Sequence, residues 1–438
     1  MRRRGIVVAA VLAVVIASMP VVTDARQPAD IGSGGPVGGP AQGGAWATRI
    51  PQPADVAAVS EYGAMQASTV DRVERVAWSL GVPAARARSY AVGVTTVWRG
   101  DTVVQQATRG TGRWQFPVVV TAMPAEALGP IMGFEVSAAV GAGTIVLSAT
   151  GAALRTAQVG DVIELVRPDG FAARYAVGLI APDAAVGGAE VVMSSVQADV
   201  LGLGATTRVV VFGRFSRDQL DAALSAAGLT EAAGVRVSHS WAPASPDGTL
   251  GLARTKALLG EFAYRINGDN GLTLEQAWVD ANIVYTRFES VGIRAFCHRE
   301  ITAGIQAALD EITELGLASL IDVVDTNRYG GCWNPRYARA STTVGAVSRH
   351  AWGMALDLNT STNPQGGRPR LDCRIVRIFR KHGFAWGGNF GLPDGMHFEW
   401  VGEARHTWQY PSTYCPNLPD GAVAAAAVPT ARDTMFAD

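Results

Sequence analysis

Along this chain the spacing of apolar and polar residues changes several times, and each change marks an element. Val70 to Leu80 and Ser216 to Ala227 carry apolar residues at helical spacing. Between them, TIVLSA, DVIELVRP, RYAVGLIA, AEVVMSS and TRVVVFG are short apolar or alternating runs separated by Gly, Asp and Pro turns. They read as strands, and predict a small β-rich barrel or sandwich flanked by helices. Further on, Ile301 to Leu315 reads as an amphipathic helix, SLIDVVDT as a strand and GGCWNPR as the loop after it. RIVRIFRKHGF reads as a helix stopped by Gly383. Two later runs alternate as half-buried strands do. In SRHAWGMALDLN, residues 348–359, Ala355, Asp357 and Asn359 share one face and Met354, Leu356 and Leu358 the other. In PDGMHFEW, residues 393–400, His397 and Glu399 oppose Met396, Phe398 and Trp400. If these strands pair, Asp357 and His397 meet on a common face. His350 then approaches from the preceding turn, where Gly353 permits a tight bend.

Other segments lack such a rhythm. Residues 26–54, with IGSGGPVGGPAQGG, cannot bury enough apolar area to order themselves and read as a flexible linker. The Ala-rich end, 416–438, reads as a mobile tail. A Pro- and Ser-containing joint, SWAPASPDG, falls inside a second linker at 236–254. These breaks predict a β-rich accessory domain over 55–235 and an α+β domain over 255–415, the latter with a small antiparallel sheet and flanking helices. No catalytic constellation is visible before residue 235, so the first domain reads as a spacer or binding module.

Composition sets the context. Of 438 residues, 48% are hydrophobic, enough for two cores, and a net charge of -1 argues against a nucleic-acid partner. Arg2, Arg3 and Arg4, the apolar stretch Ile6 to Ala17 and the small residues around Thr23-Asp24-Ala25 have the layout of an export signal over residues 1–25. Left uncleaved, the uncharged run from Gly5 to Val22 is barely long enough to anchor the chain in a membrane. The expected location is therefore secreted or attached to the cell envelope. Export predicts two disulfides among Cys297, Cys332, Cys373 and Cys415, with three pairings open. A zinc–cysteine site is disfavoured, because no two cysteines are close enough for a knuckle.

His350, Asp357 and His397 supply two imidazoles and a carboxylate, the donor set of a catalytic zinc site with a fourth position left to water. Such a metal acidifies water and polarises a carbonyl. Asp394, three residues before His397, is the candidate general base. Spacing alone leaves open that the histidines are core or surface residues. His298, His382 and the Trp386-Gly387-Gly388 turn read as structural.

The pattern Ser-x-His-x-x-Gly-x-Ala-x-Asp, followed by Asp-x-x-His-Phe-Glu-Trp, resembles the VanY-type D-alanyl-D-alanine carboxypeptidases. These belong to the wider LAS group of zinc peptidases, with L-alanyl-D-glutamate endolysin-like relatives. The resemblance runs from near Cys297 to near Tyr410. It implies Zn2+ held by His350, Asp357 and His397, with Asp394 as base, Ser348 orienting the His350 loop and Glu399 fixing a ligand histidine. An arginine for the substrate carbonyl or carboxylate is implied too, Arg336 first and Arg328 in reserve. The implied substrate is the peptidoglycan stem peptide, cut at its terminal D-Ala-D-Ala bond or at an internal bond involving a D-residue. A wall-binding protein that keeps the fold without turnover is the reading from another class, and the complete residue set with Asp394 argues against it.

Overall fold

One strand, Ala84–Arg99, organises the first half of the molecule in a computed structural model that describes residues 53–107, 112–268, 270–322, 331–417 and 428–437. Its middle pairs with Phe116–Met123 and its end with Val162–Val166. Val191–Ser194, Ile145–Ser148 and Ala172–Ala181 bridge these two and close a ring of six strands. Closure leaves no open edge on the ring. A register shift between Val94 and Thr96 bends the strand where it enters the Val162–Val166 pairing. Its first residues instead pair with Arg208–Gly213, followed outward by Asp55–Ser60 and Arg236–His239. Phe116–Met123 is buried at all eight positions, which explains a continuous apolar run where alternation would mark a half-exposed strand.

Of the barrel or sandwich expected, the barrel is thus present, with helices Ala67–Ser79 and Arg217–Ala226 beside it. Three further helices, Ala125–Met132, Phe134–Gly141 and Ala149–Arg155, were not anticipated. Each has only seven or eight residues, about two turns, too short for helical periodicity to register.

In the C-terminal part, helix Arg299–Glu314 buries Ile301, Ile305, Leu309 and Ile312 and packs beside helix Cys373–Lys381. At about 1.5–3 kcal/mol for each buried aliphatic side chain, this stripe is a main source of local stability. A three-stranded antiparallel sheet has His397–Trp400 in its centre, flanked by Ala355–Asp357 and Phe384–Trp386. Met354, Leu356 and Phe398 are fully buried, and the Phe398 ring stacks on Phe379 at 4.2 Å. The strand expected from SLIDVVDT is corrected in its described part: Ala318–Leu320 is a 3₁₀ turn. Behind it, Asn359 Oδ1 accepts the Asp322 N–H, so that backbone bonds to a side chain and not to a sheet. Residues 323–326 of that run lie outside the described residues.

The cysteines pair in sequence order, Cys297 with Cys332 and Cys373 with Cys415. Two disulfides suggest an extracellular protein, and no helix among the described residues is long and apolar enough to cross a membrane. The expected signal over 1–25 lies outside the described residues.

From Gln52 onward the chain forms one unit. Ala91 N–H donates to Val344 O at 2.8 Å and Val344 N–H to Ser89 O at 3.0 Å, so the barrel's long strand grips the segment ahead of His350. Lys256 is fully buried and donates to Glu190 and Glu261. Asp247, in the expected second linker, is buried against Arg380. Residues 428–437, expected in a mobile tail, pack back: Phe436 is 3% exposed and its N–H donates to Gly187 O. Two apolar side chains, Met435 and Phe436, give this end a reason to dock that its Ala-rich average conceals.

Candidate metal centre

Strand register brings the site together. Asp357 lies directly opposite His397 across the sheet. His350 sits in the short 3₁₀ helix Arg349–Trp352, whose first N–H groups are capped by Ser348: its Oγ accepts the His350 N–H at 3.3 Å. Gly353 ends that turn at φ 65°, and a Cβ there would meet His298 N and Ile283 Cδ1 at 2.9 Å. The turn therefore has no room for a side chain.

His350, Asp357 and His397 each offer a ligand atom, and these atoms lie within 4.8 Å of one another. The tautomers are set from behind. His350 Nδ1 contacts Cys332 O at 2.9 Å, leaving Nε2 toward Asp357 Oδ1 at 3.4 Å. His397 Nε2 lies 3.5 Å from Glu399 Oε2, leaving Nδ1 toward Asp357 Oδ1 at 3.1 Å. Glu399 is itself buried and paired with Arg349. Two nitrogens and an oxygen converging in this way, each histidine backed by an acceptor, fit a divalent transition metal such as zinc.

The charges of these groups act on one another. Burial works against the Asp357 carboxylate, but His350 and His397 outweigh it and hold its pKa far below the usual range. Burial likewise opposes the His397 cation, yet its bonds to Asp357 and Glu399, with the charges of Asp357 and Asp394, raise it to about 10.

Asp394 follows a different course. It lies on the turn into the central strand, 9% exposed, and Gln365 Nε2 donates to its Oδ2 at 2.9 Å. Its Oδ1 is buried without a partner. Burial is the main cause that pushes its pKa above the ordinary value, with Asp357 adding to it and His397 and His350 opposing. Gly387 makes this turn possible, since a Cβ there would come 2.6 Å from Asp394 O and 3.1 Å from His397 Cβ. The Trp386 ring is buried, with its indole N–H on Gly395 O.

Arg336 lines the same cleft as His350, Asp357, Asp394 and His397. Half-buried, it has a partnerless Nε, while its Nη1 donates to Tyr337 O. Burial and the neighbouring Arg339 lower its pKa, with Asp357 and Asp394 opposing. Arg328 lies outside the described residues. His298 caps the helix Arg299–Glu314 and contacts Leu259 O, and His382 contacts Glu311, so both are structural. Sequence reasoning missed Cys332 O and Gln365. The first is a backbone atom with no residue signature, and the second lies in the loop between the motif blocks.

Residues 341–400 match the model of the D-alanyl-D-alanine carboxypeptidase family. The match supports the VanY-type resemblance for the segment that holds His350, Asp357, His397 and Asp394. It thereby supports a metallopeptidase acting on cell-wall peptides. No curated protein matches the chain.

Proposed function

We propose that this chain is a zinc-dependent peptidase of D,D-carboxypeptidase type, acting on peptidoglycan stem peptides outside the cell. The observation that carries the reading is the buried, partnerless Oδ1 of Asp394, in one cleft with the His350–Asp357–His397 group. A zinc ion held by those three side chains would supply Lewis acidity and an acidified water. Asp394, its affinity for a proton raised by burial, accepts the proton of the attacking water and passes it to the leaving amine. Gln365 holds the other carboxylate oxygen, Oδ2, and leaves Oδ1 without a partner in the protein. Arg336 presents a cation to the oxygen on which charge develops, or to the terminal carboxylate. Ser348 ties this arginine to the metal group, since its N–H donates to Arg336 O while its side chain caps the turn of His350.

A second reading is cleavage of an internal bond, as in L-alanyl-D-glutamate endopeptidases. It draws on the extent of the cleft, which continues past Arg336 to Ser341 and Tyr62. The test is incubation of the full-length chain with defined muropeptides, with zinc, with chelator and as His397→Ala, read by mass spectrometry. Zinc-dependent loss of terminal D-alanine supports the first reading, and an internal cut the second. No cleavage by the zinc-loaded chain overturns both and leaves a wall-binding protein.

A further inference from the structure

The cleft of about 260 Å³ that holds the triad has a wall from outside the family segment. Tyr62 follows strand Asp55–Ser60, and Arg236 opens strand Arg236–His239, both in the sheet that extends the barrel. Both residues line the cleft together with Arg336, Asp394 and His397. Their placement is fixed on two sides. Gly63 N–H donates to Ser341 O at 2.7 Å, tying the Tyr62 turn to the loop ahead of His350. On the other side, a Cβ on Gly391 would lie 2.8 Å from Tyr62 Oη and 3.4 Å from Arg236 Cδ. Gly391 follows Phe390, whose ring centre is 5.9 Å from that of His397. The phenol and the guanidinium stem therefore rest on the loop that borders the metal group.

Neither polar head is used by the protein. Among the described residues Arg236 makes no ion pair and the Tyr62 hydroxyl no hydrogen bond. Glu231 is the acid whose charge acts on Tyr62 alongside that of Arg236, and its Oε2 accepts from Thr413 Oγ1 at 3.2 Å. Burial pushes the Tyr62 phenol up to about 12, so it remains a hydrogen-bond donor at any working pH. An unpaired cation beside a neutral donor, both facing a cleft, suits a carboxylate, which accepts from both at once.

We propose that Arg236 and Tyr62 form a subsite for a second carboxylate of the peptide substrate, away from the bond that is cut. The proposal rests on the peptidase reading, and it makes the β-rich part a determinant of specificity. It is distinct from the role of Arg336: Asp357 and Asp394 act on Arg336, whereas Tyr62 and Arg236 lie against Gly391 and the charges that act on Tyr62 are those of Arg236 and Glu231.

The test uses the full-length chain and two peptides alike except that one side carboxylate is free in the first and amidated in the second. Turnover is read as the ratio of kcat/KM between them, and binding to chelator-treated protein by calorimetry. In the unaltered chain the free carboxylate is expected to be preferred roughly tenfold, the size of one exposed charge-assisted contact. Arg236→Gln should bring the ratio close to one through KM, Arg236→Lys should keep part of it, and Tyr62→Phe should lower it by a smaller factor. Equal kcat/KM for the two peptides in the unaltered chain, or an unchanged ratio in Arg236→Gln, overturns the subsite and leaves the peptidase reading intact. Selective binding without turnover supports the subsite and overturns the peptidase reading. Absence of binding and of turnover overturns both.

Discussion

Replacing Asp247 should unfold the molecule far more readily than its place in a Pro- and Ser-rich joint suggests. Its carboxylate accepts from Arg380 Nε at 2.8 Å and Nη2 at 2.5 Å, from the Trp386 N–H at 3.1 Å and from Asn389 Nδ2 at 2.8 Å. Asp247 is 4% exposed and Arg380 1%. Arg380 keeps a single other acceptor, Cys415 O. Asp247→Ala would leave a guanidinium in the interior with most of its donors unmet, at a cost of about 4 kcal/mol. With a urea slope of about 3 kcal/mol/M, the unfolding midpoint should fall by roughly 1.3 M. The assay is equilibrium urea unfolding with disulfides intact, followed by tryptophan fluorescence. A cycle is closed by Asp247→Leu, Arg380→Met and the two together. Removing both charges should recover stability to within about 2 kcal/mol of the original, because the large penalty comes from stranding one partner. A midpoint drop below about 0.3 M for Asp247→Ala, or a double variant as unstable as the sum of the single ones, would refute the reasoning.

Asp394→Asn should lower kcat by about 10²–10⁴ while peptide binding survives, because the amide cannot take a proton; unchanged turnover would remove Asp394 from the mechanism. In metal-free protein His397 is a cation below about pH 10, and a metal needs it neutral. Loading at pH 7 should therefore release about one proton from this ring, and affinity should climb with pH, roughly tenfold per unit. Calorimetry in two buffers of different ionisation enthalpy measures this, and an enthalpy that does not depend on buffer counts against it. Each disulfide closes a loop of 35 or 42 residues and should contribute about 4 kcal/mol. Only Cys297–Cys332 touches the metal group, through Cys332 O on His350, so serine replacement of that pair, and not of Cys373–Cys415, should also weaken metal binding. Burial pushes the Glu261 carboxyl up, but Arg155 and Lys256 outweigh it and hold it below the ordinary value. A depressed folded pKa stabilises above the unfolded value of about 4.3 and loses that contribution as pH falls below it. Glu261→Gln should thus be less stable at pH 7 and lose less between pH 5 and 3; a parallel profile in calorimetric scans would contradict this.

The three candidate ligands stand out in the sequence because two signals coincide on them. In SRHAWGMALDLN and PDGMHFEW the alternation that places Leu356 and Phe398 in the core places Asp357 and His397 on the opposite face. Strand identity and chemistry thus follow from the same few residues. What supports the site leaves no such local trace. Cys332 acts through its backbone carbonyl. The order of strands around the barrel depends on which edges meet, and alternation within one strand does not record that. Tyr62, Arg236 and Asp247 are ordinary loop or edge residues until the fold carries them to the cleft. The reading of 55–235 as a spacer or binding module followed from the absence of a local motif, yet Ser89 and Ala91 hold Val344, and Lys256 binds Glu190. A sequence motif marks where bonds to substrate and metal are made. It does not mark the walls, which any polar residue can supply if it is held in place. Here the cleft is lined from both sides of residue 255, so the motif-bearing part alone does not supply its whole wall.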